Sequence, residues 1–256
     1  MKLNYKKLGE GRALVILHGL FGSLDNWQTL GKKFAEHYTV YLLDLRNHGH
    51  SPHSDEWSYE LMCEDLFEFL NDNKLDKIYL LGHSLGGKVA MKFALTHYER
   101  VEKLIVADIS PKYYTPQQSD VLTAINAVDV EVVKSRKGVE EILANNKLDL
   151  GTRQFLLKNL YWKDQSRARL AWRFNFKAIE KNILIVGQEQ MAGKPNPLFC
   201  LFLRGANSNY IGEEDLENTR ALFPKAIAKT IQNANHWLHT DQPVLFYEEV
   251  VLFLKY

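Results

Sequence analysis

The chain has 256 residues, enough for one large domain or two small ones with a sizeable core. Its 32 Lys and Arg residues against 31 Asp and Glu give a net charge of +1, so charge gives no reason to expect nucleic acid or an anionic membrane as a partner. No apolar run approaches the roughly 18 residues of a membrane span. Cys63 and Cys200 lie in apolar contexts and no apolar leader opens the chain, which indicates a soluble cytoplasmic protein with free thiols.

The first half of the chain alternates short apolar runs with amphipathic stretches. In chain order these predict a hairpin and then alternating helices and strands: KLNYKKLGEGRALVILHG, DNWQTLGKKFAEHY, YTVYLLD, a helix from Ser58, KIYLLGHS, LGGKVAMKFALTHY and KLIVADIS. This alternation predicts an α/β protein, with a mostly parallel central sheet and helices on both faces.

The rhythm changes after Pro111. Residues 111–196 contain several helical patterns and one candidate strand, ILIVG. Strand patterns return at PLFCLFLRG and AKTIQN, and an amphipathic helix closes the chain. We therefore predict one core, formed by residues 1–110 and 197–256, that is interrupted by an inserted helical cap of residues 111–196.

The segment Gly82-His83-Ser84-Leu85-Gly86 matches the pattern G-x-S-x-G. A predicted strand runs into it and a predicted helix leaves it, which is the context of a nucleophile elbow. Small residues around the turn leave room for its strained backbone. The pattern predicts Ser84 as a nucleophile, with the backbone N–H of Leu85 at the start of the helix free to bind an oxyanion.

A second oxyanion donor is expected from the loop after an earlier strand, ALVILHGLFGS. We predict the N–H of Leu20 for this role, with that of Phe21 as the alternative. The side chain of His18 is expected to brace the loop rather than to titrate during catalysis.

A general base is expected on a loop after the last strand, late in the chain. His236 in NANHWLH fits this order. His239 is the competing histidine, and the helix that follows favours a surface position for it. We predict that Nε2 of His236 accepts the Ser84 proton.

Five motifs, in this order and at these spacings, resemble the α/β-hydrolases: VILHGLFGS, DLRNHGHS, LLGHSLGGKVAM, VADISP and NANHW. The whole chain is most similar to the YbfF-like group of esterases and acyl thioesterases, with the helical insertion as the weakest match. The resemblance implies a sheet that carries the serine elbow at its C-terminal edge, a mobile cap over the site, and no cofactor.

Three histidines lie close together in the stretch from Arg46 to Ser54, and such a cluster could bind a metal. The stretch DLRNHGHS also matches the turn D-x-R-x-x-G-x-S of the hydrolases that the chain resembles. We therefore expect His48, His50 and His53 to be turn residues near the mouth of the site, with no metal bound.

The acid is where the sequence departs from the pattern of those hydrolases. Ser208 stands where an Asp is expected, in the loop RGANSN. Asp108 ends the strand that follows the nucleophile helix, and strand ends at one edge of a parallel sheet lie close together. We predict that Asp108 orients His236, with Ser208 as the alternative orienting residue.

These features together predict a serine hydrolase that cleaves carboxylic esters or thioesters of small to medium acyl groups. The expected partner is a small-molecule ester or thioester, with no nucleic acid, membrane, metal or cofactor, and the oligomeric state is left open. The same scaffold resembles C–C bond hydrolases and cofactor-free perhydrolases, and a non-catalytic ligand-binding member is a further alternative.

Overall fold

The computed structural model describes residues 1–115, 120–164, 169–190 and 194–256. Its strands are β1 (Tyr5–Leu8), β2 (Ala13–Leu17), β3 (Thr39–Leu43), β4 (Ile78–His83), β5 (Val101–Ala107), β6 (Leu160–Trp162), β7 (Leu170–Trp172), β8 (Phe199–Gly205) and β9 (Lys225–Ile231). Its helices are α1 (Gln28–Phe34), α2 (Tyr59–Asp72), α3 (Leu85–Thr96), α4 (Asp120–Asn126), α5 (Arg136–Asn145), α6 (Leu150–Lys158), α7 (Phe176–Lys181), α8 (Ile183–Val186), α9 (Glu213–Leu222), α10 (Leu238–Asp241) and α11 (Pro243–Lys255). Short 3-10 helices cover Leu24–Trp27 and Tyr98–Arg100.

Seven of the strands form one sheet in the order β1-β3-β2-β4-β5-β8-β9. Only β1 runs antiparallel to its neighbour, while the other pairs in this sheet are parallel. Every residue of the central strand β4 is buried, as expected for a strand covered on both faces. The α/β class and the mostly parallel sheet predicted from the alternating pattern are confirmed.

The predicted hairpin at the start of the chain is wrong. β1 pairs with β3, so that Lys7 lies opposite Tyr41, and β2 lies on the other side of β3. The reason is burial: β1 alternates between exposed and half-buried residues, which suits an edge. Four of the five residues of β2 are buried, which suits a position between two parallel neighbours.

Between β5 and β8 the described residues form five helices, α4 to α8, and the small antiparallel pair β6–β7. Neither β6 nor β7 joins the large sheet. ILIVG, the candidate strand, forms helix α8 instead. β6 and β7 have three residues each, too few for an alternating pattern to be recognised in the sequence. We call residues 111–196 the cap segment.

Apolar side chains fill both faces of the sheet. One layer includes Leu66 of α2 and Val89 of α3, and the other includes Phe34 of α1 and Phe246 of α11. Within the described ranges, no helix combines the length and the apolar character needed to cross a lipid bilayer. The parallel strands end at a common edge, where the loops after them can bring side chains together.

Candidate active site

Ser84 lies between the end of β4 and the start of α3. Its backbone angles, φ 51° and ψ −116°, lie in a region that residues other than glycine rarely adopt. The turn depends on two glycines: a Cβ on Gly82 would lie 2.2 Å from the carbonyl oxygen of Gly86, and one on Gly86 would lie 2.5 Å from that of Leu17. The structure therefore contains the strained elbow that the G-x-S-x-G pattern predicts.

His236 lies on the loop between β9 and α10, and Asp108 follows the last residue of β5. Nδ1 of His236 is 2.8 Å from Oδ2 of Asp108, whose side chain is fully buried. Because a carboxylate accepts hydrogen bonds, this contact places the imidazole proton on Nδ1 and leaves Nε2 as an acceptor.

The carboxylate of Asp108 has two further donors. The backbone N–H of Gly205 donates to Oδ1 over 2.9 Å, and the hydroxyl of Ser208 donates to Oδ2. Asp108 itself has a left-handed backbone, with φ 52°, which turns its side chain away from the path of β5. Asp108 and Ser208, the two residues predicted as orienting partners of His236, are thus in contact with each other, and Asp108 is the one that meets Nδ1 of His236.

The two leucines considered as oxyanion donors line the same cavity as Ser84. Among the described residues, no group accepts a hydrogen bond from the N–H of Leu20 or of Leu85. The N–H of Phe21, the alternative, donates to Nε2 of His48 over 3.2 Å. The geometry therefore leaves Leu20 rather than Phe21 with a free donor.

Two buried histidines hold the loop of Leu20 in place. Nδ1–H of His18 donates to the carbonyl of Gly19 over 2.8 Å, and its Nε2 accepts from the N–H of Leu45. Nδ1 of His48 donates to the carbonyl of Arg46 over 2.9 Å. Burial lowers the pKa of His18 to about 4 and that of His48 to about 3, so both rings are neutral braces near neutral pH.

The stretch DLRNHGHS forms a tight turn around Asp44. Its carboxylate accepts from the backbone N–H of Leu24 over 2.7 Å and from that of His50 over 2.8 Å. Gly49, with φ +56°, passes so close that a Cβ would lie 2.1 Å from the Asp44 carboxyl carbon. Arg46 forms a buried ion pair with Asp65 at 2.6 Å.

The three histidines of this turn do not form one cluster. His48 is buried inside the turn rather than lying at a mouth, while His50 and His53 contact the cap segment through Arg173. Within the part of the chain that the structure describes, no group of three or more His, Cys, Asp or Glu side chains is arranged to hold a metal ion.

The cavity at Ser84 and His236 has a volume of about 640 Å³, within the usual range for small-molecule sites. Apolar residues of the core and the cap segment form much of its lining: Ile109, Val121, Phe155, Leu156, Ile183 and Val186. We call the space that these six residues line the apolar chamber.

Several residues near the site were not expected from the sequence. The Tyr210 ring stacks on His236 with 3.8 Å between centroids, and Asn159 of the cap segment donates to the carbonyl of Phe21 over 2.7 Å. Lys88 lines the cavity although it is buried. A signal existed for Lys88 alone: it is a charged residue within the otherwise apolar start of α3.

The expected surface position of His239 is wrong. Its side chain is buried and its ring stacks on Trp27, with 4.2 Å between the centroids. Burial lowers its pKa to about 3. His239 lies on α10, just before the closing helix α11, and this region packs against the core through the buried Leu238 of α10 and Phe246 of α11.

Comparison with known proteins identifies the family. Residues 12–139 match the family model of the alpha/beta hydrolase fold. A putative esterase/lipase of Haemophilus influenzae is 38% identical over 243 residues, which cover 94% of this chain and 83% of the relative. The chain belongs to the α/β-hydrolase family.

Two further relatives narrow the class. Esterase YbfF of Escherichia coli is 34% identical over 232 residues, covering 90% of this chain and 88% of that protein. The solved structure of a marine microorganism esterase has a TM-score of 0.94 at 39% identity and covers 98% of this chain and 99% of that chain. The resemblance to YbfF-like esterases is confirmed, and this α/β-hydrolase is an enzyme of the esterase/lipase type.

Proposed function

We propose that this α/β-hydrolase cleaves carboxylic esters and thioesters of small to medium acyl groups through Ser84, His236 and Asp108. One observation carries the proposal. The strained Ser84 and the imidazole of His236 line a single cavity, and the other ring nitrogen of His236 meets a buried carboxylate. This combination fits a nucleophile, a general base and an orienting acid.

In the acylation step, Nε2 of His236 takes the proton of the Ser84 hydroxyl while the Ser84 oxygen attacks the substrate carbonyl. The new C–O bond converts the carbonyl oxygen into an oxyanion, which the N–H groups of Leu20 and Leu85 bind. Asp108 stabilises the imidazolium that forms. The tetrahedral intermediate then expels the alcohol or thiol, which takes the proton from His236.

In the deacylation step, a water molecule replaces the leaving group. His236 accepts a proton from the water as its oxygen attacks the acyl carbon of the Ser84 ester. The same two N–H groups hold the second oxyanion. Collapse of this intermediate breaks the bond to Ser84, returns the proton to the serine, and releases the carboxylic acid.

The apolar chamber supports a preference for small to medium acyl groups. Its walls come from Ile109 of the core and from residues of the cap segment such as Phe155 and Val186. Burying an acyl chain there is favourable by about 0.8 kcal/mol per methylene. The volume of about 640 Å³ limits the chain that fits together with its leaving group. We propose that the cap segment acts as the lid that supplies these walls.

The direct test uses p-nitrophenyl acetate and butyrate as substrates. The parent protein should release p-nitrophenol, and Ser84→Ala should lose activity by several orders of magnitude. Equal activity of the variant and the parent would rule out the proposed nucleophile. A fluorophosphonate probe, read by intact mass, should add to the parent and not to Ser84→Ala.

The alternatives give different results in the same assays. A non-catalytic ligand-binding protein would show neither turnover nor a fluorophosphonate adduct. A C–C bond hydrolase would form the adduct but would cleave a β-diketone in preference to a simple ester. A perhydrolase would also form the adduct but would transfer the acyl group to hydrogen peroxide in preference to water. A series of esters and thioesters of graded chain length ranks the substrate classes.

A further inference from the structure

Lys88 is a lysine that the proposed reaction does not use. It lies on the nucleophile helix α3, one turn after Ser84, and its N–H donates to the Ser84 carbonyl over 3.0 Å. The side chain is 1% exposed. Burial lowers its pKa to about 7, so the ammonium group costs free energy that an apolar side chain at this position would not. A buried charge of this kind needs an explanation from its contacts.

The ammonium group of Lys88 contacts both ends of the cap segment. Nζ donates to the carbonyl of Gln188 over 2.8 Å, to that of Pro111 over 3.4 Å, and to that of Lys112. Pro111 and Lys112 lie where the chain leaves the core, and Gln188 lies near the point where it returns. The ring of Tyr114 covers the ammonium, with Nζ 4.9 Å from the ring centroid.

The two ends of the cap segment also bond to each other around Lys88. The N–H of Tyr114 donates to the carbonyl of Gly187 over 2.8 Å, and the N–H of Gln190 donates to that of Pro111 over 2.7 Å. We call these paired stretches, residues 111–114 and 187–190, the cap hinge. Lys88 thus connects the cap hinge to the nucleophile helix.

A role as a substrate ligand does not fit this geometry. An ammonium has three N–H donors, and here they meet three backbone carbonyls. No donor is left for an anionic group of a substrate. The neighbouring Lys112 does not supply a free charge either, since its Nζ lies 2.7 Å from Asp215. Lys88 therefore acts on other parts of the protein.

The cap hinge continues into the reacting end of the cavity. The hydroxyl of Tyr114 accepts from the N–H of Ser110 over 2.9 Å and donates to the carbonyl of Tyr210 over 2.6 Å. The ring of Tyr210 stacks on His236. In the other stretch of the cap hinge, Gly187 lines the cavity and comes directly after Val186, which also lines it. A loosened cap hinge would thus change the acyl wall first, because Gly187 belongs to that wall, whereas Tyr210 is linked to the hinge by a single hydrogen bond to its backbone carbonyl.

We propose that Lys88 is a positioning residue that fixes the cap hinge to the nucleophile helix and so determines which acyl chains the enzyme accepts. The proposal rests on the proposed ester hydrolysis for its kinetic readout, although the hinge contact can be measured independently. Without the ammonium, the carbonyl of Lys112 loses its donor, and those of Pro111 and Gln188 keep only donors from Gln190, within the cap hinge itself. The cap hinge then loosens from α3 and the chamber loses its fixed shape. Short acyl groups, which need little of the chamber, are affected least.

The kinetic experiment compares Lys88→Met with the parent on p-nitrophenyl acetate and p-nitrophenyl octanoate. Methionine has a similar length but no donor. KM for the octanoate should rise about tenfold while kcat for the acetate stays within about threefold. The control is Lys92→Met, which removes a lysine from the next turn of α3, where it pairs with Glu60; both parameters should stay near those of the parent. A proportional loss of kcat on both esters with unchanged KM would overturn the proposal.

The second measurement does not depend on activity. Hydrogen exchange of the backbone amides of Tyr114 and Gln190 should be faster in Lys88→Met than in the parent, while the amides of β4 keep their protection. Equal protection of the cap hinge in both proteins would overturn the role of Lys88. If the parent hydrolyses no ester but the exchange difference is present, the proposed function fails and the hinge contact stands. If Lys88→Met does not fold, Lys88→Gln takes its place. Because glutamine retains an amide donor, the difference in hydrogen exchange from the parent should then be smaller.

Discussion

Nδ1 of His236 lies 2.8 Å from Oδ2 of Asp108, although the two residues are 128 positions apart in the chain. The contact forms because the loops after β5 and β9 meet at one edge of the sheet, on either side of the loop after β8. The residue at the expected acid position in that middle loop, Ser208, donates to the same carboxylate oxygen.

Replacing the acid should therefore cost far more than replacing its neighbour. Asp108→Asn should reduce kcat by about ten-thousandfold, because the amide can hold the wrong tautomer of His236. Ser208→Ala should reduce kcat by about tenfold or less, since it removes one of the donors to the carboxylate. Steady-state kinetics with p-nitrophenyl butyrate measure both. The reverse order of effects would move the orienting role from Asp108 to Ser208.

The ring of Tyr210 should assist the base without taking part in proton transfer. It lies parallel to His236, within 15°, and its π-face stabilises the imidazolium by about 0.5–2 kcal/mol. Tyr210→Leu should lower kcat about fivefold with little change in KM. Tyr210→Phe keeps the ring and is the matched control, so it should retain nearly the full kcat. An equal loss in both variants would point to the hydroxyl instead of the stack.

Asn159 should influence the oxyanion site from the cap segment. Its Nδ2 donates to the carbonyl of Phe21, next to Leu20, and the contact is buried. Asn159→Leu removes that donor, loosens the loop and should lower kcat about tenfold. Asn146→Leu is the control, because among the described residues Nδ2 of Asn146 donates within its own stretch, to the Ile142 carbonyl. Identical kinetics of Asn159→Leu and the parent would contradict this coupling.

The wall formed by α8 should set an upper limit on acyl length. Val186 lines the cavity, whereas Leu184 on the same helix is 70% exposed. Val186→Trp should lower kcat/KM for p-nitrophenyl octanoate by about tenfold or more and leave the acetate within about twofold. Leu184→Trp should change neither. If Val186→Trp affects both esters equally, α8 does not contact the acyl chain.

Stability should fall in mildly acidic solution because of the buried histidines. Burial lowers the pKa values of His18, His48, His83 and His239 below the unfolded value of 6.5. The unfolded chain therefore binds more protons than the folded chain below pH 6.5, and the free energy of unfolding decreases as the pH falls from about 6.5 toward 4. Urea unfolding at several pH values measures this slope.

A single substitution should reduce that slope. His48→Gln removes one of these protons from the unfolded state and should make the slope shallower by up to ~1.4 kcal/mol per pH unit. His37→Gln, at a position exposed to solvent, is the control and should keep the parental slope. A slope that is unchanged by His48→Gln would mean that His48 is not held in its neutral form.

Local patterns in the sequence determined much of this protein. The alternation of strands and helices, the small residues around Ser84 and the late position of His236 each depend on neighbours within a few residues, so they could be recognised without a structure. The family followed from such motifs in a fixed order, and the relatives confirm it.

The tertiary structure decided the features that depend on contacts between distant residues. β1 lies beside β3 rather than β2, and His239 is buried under Trp27. The N–H of Phe21 donates to His48, while that of Leu20 meets no acceptor among the described residues. No local pattern in the sequence indicates any of these features, because strand order and loop packing depend on the burial of the whole core. The sequence favoured Asp108 as the partner of His236 and left Ser208 as the alternative; their contact with each other and with His236 depends on the order β5-β8-β9, which brings the three loops together. The carbonyls around Lys88 become acceptors for its ammonium group only where the two ends of the cap segment meet.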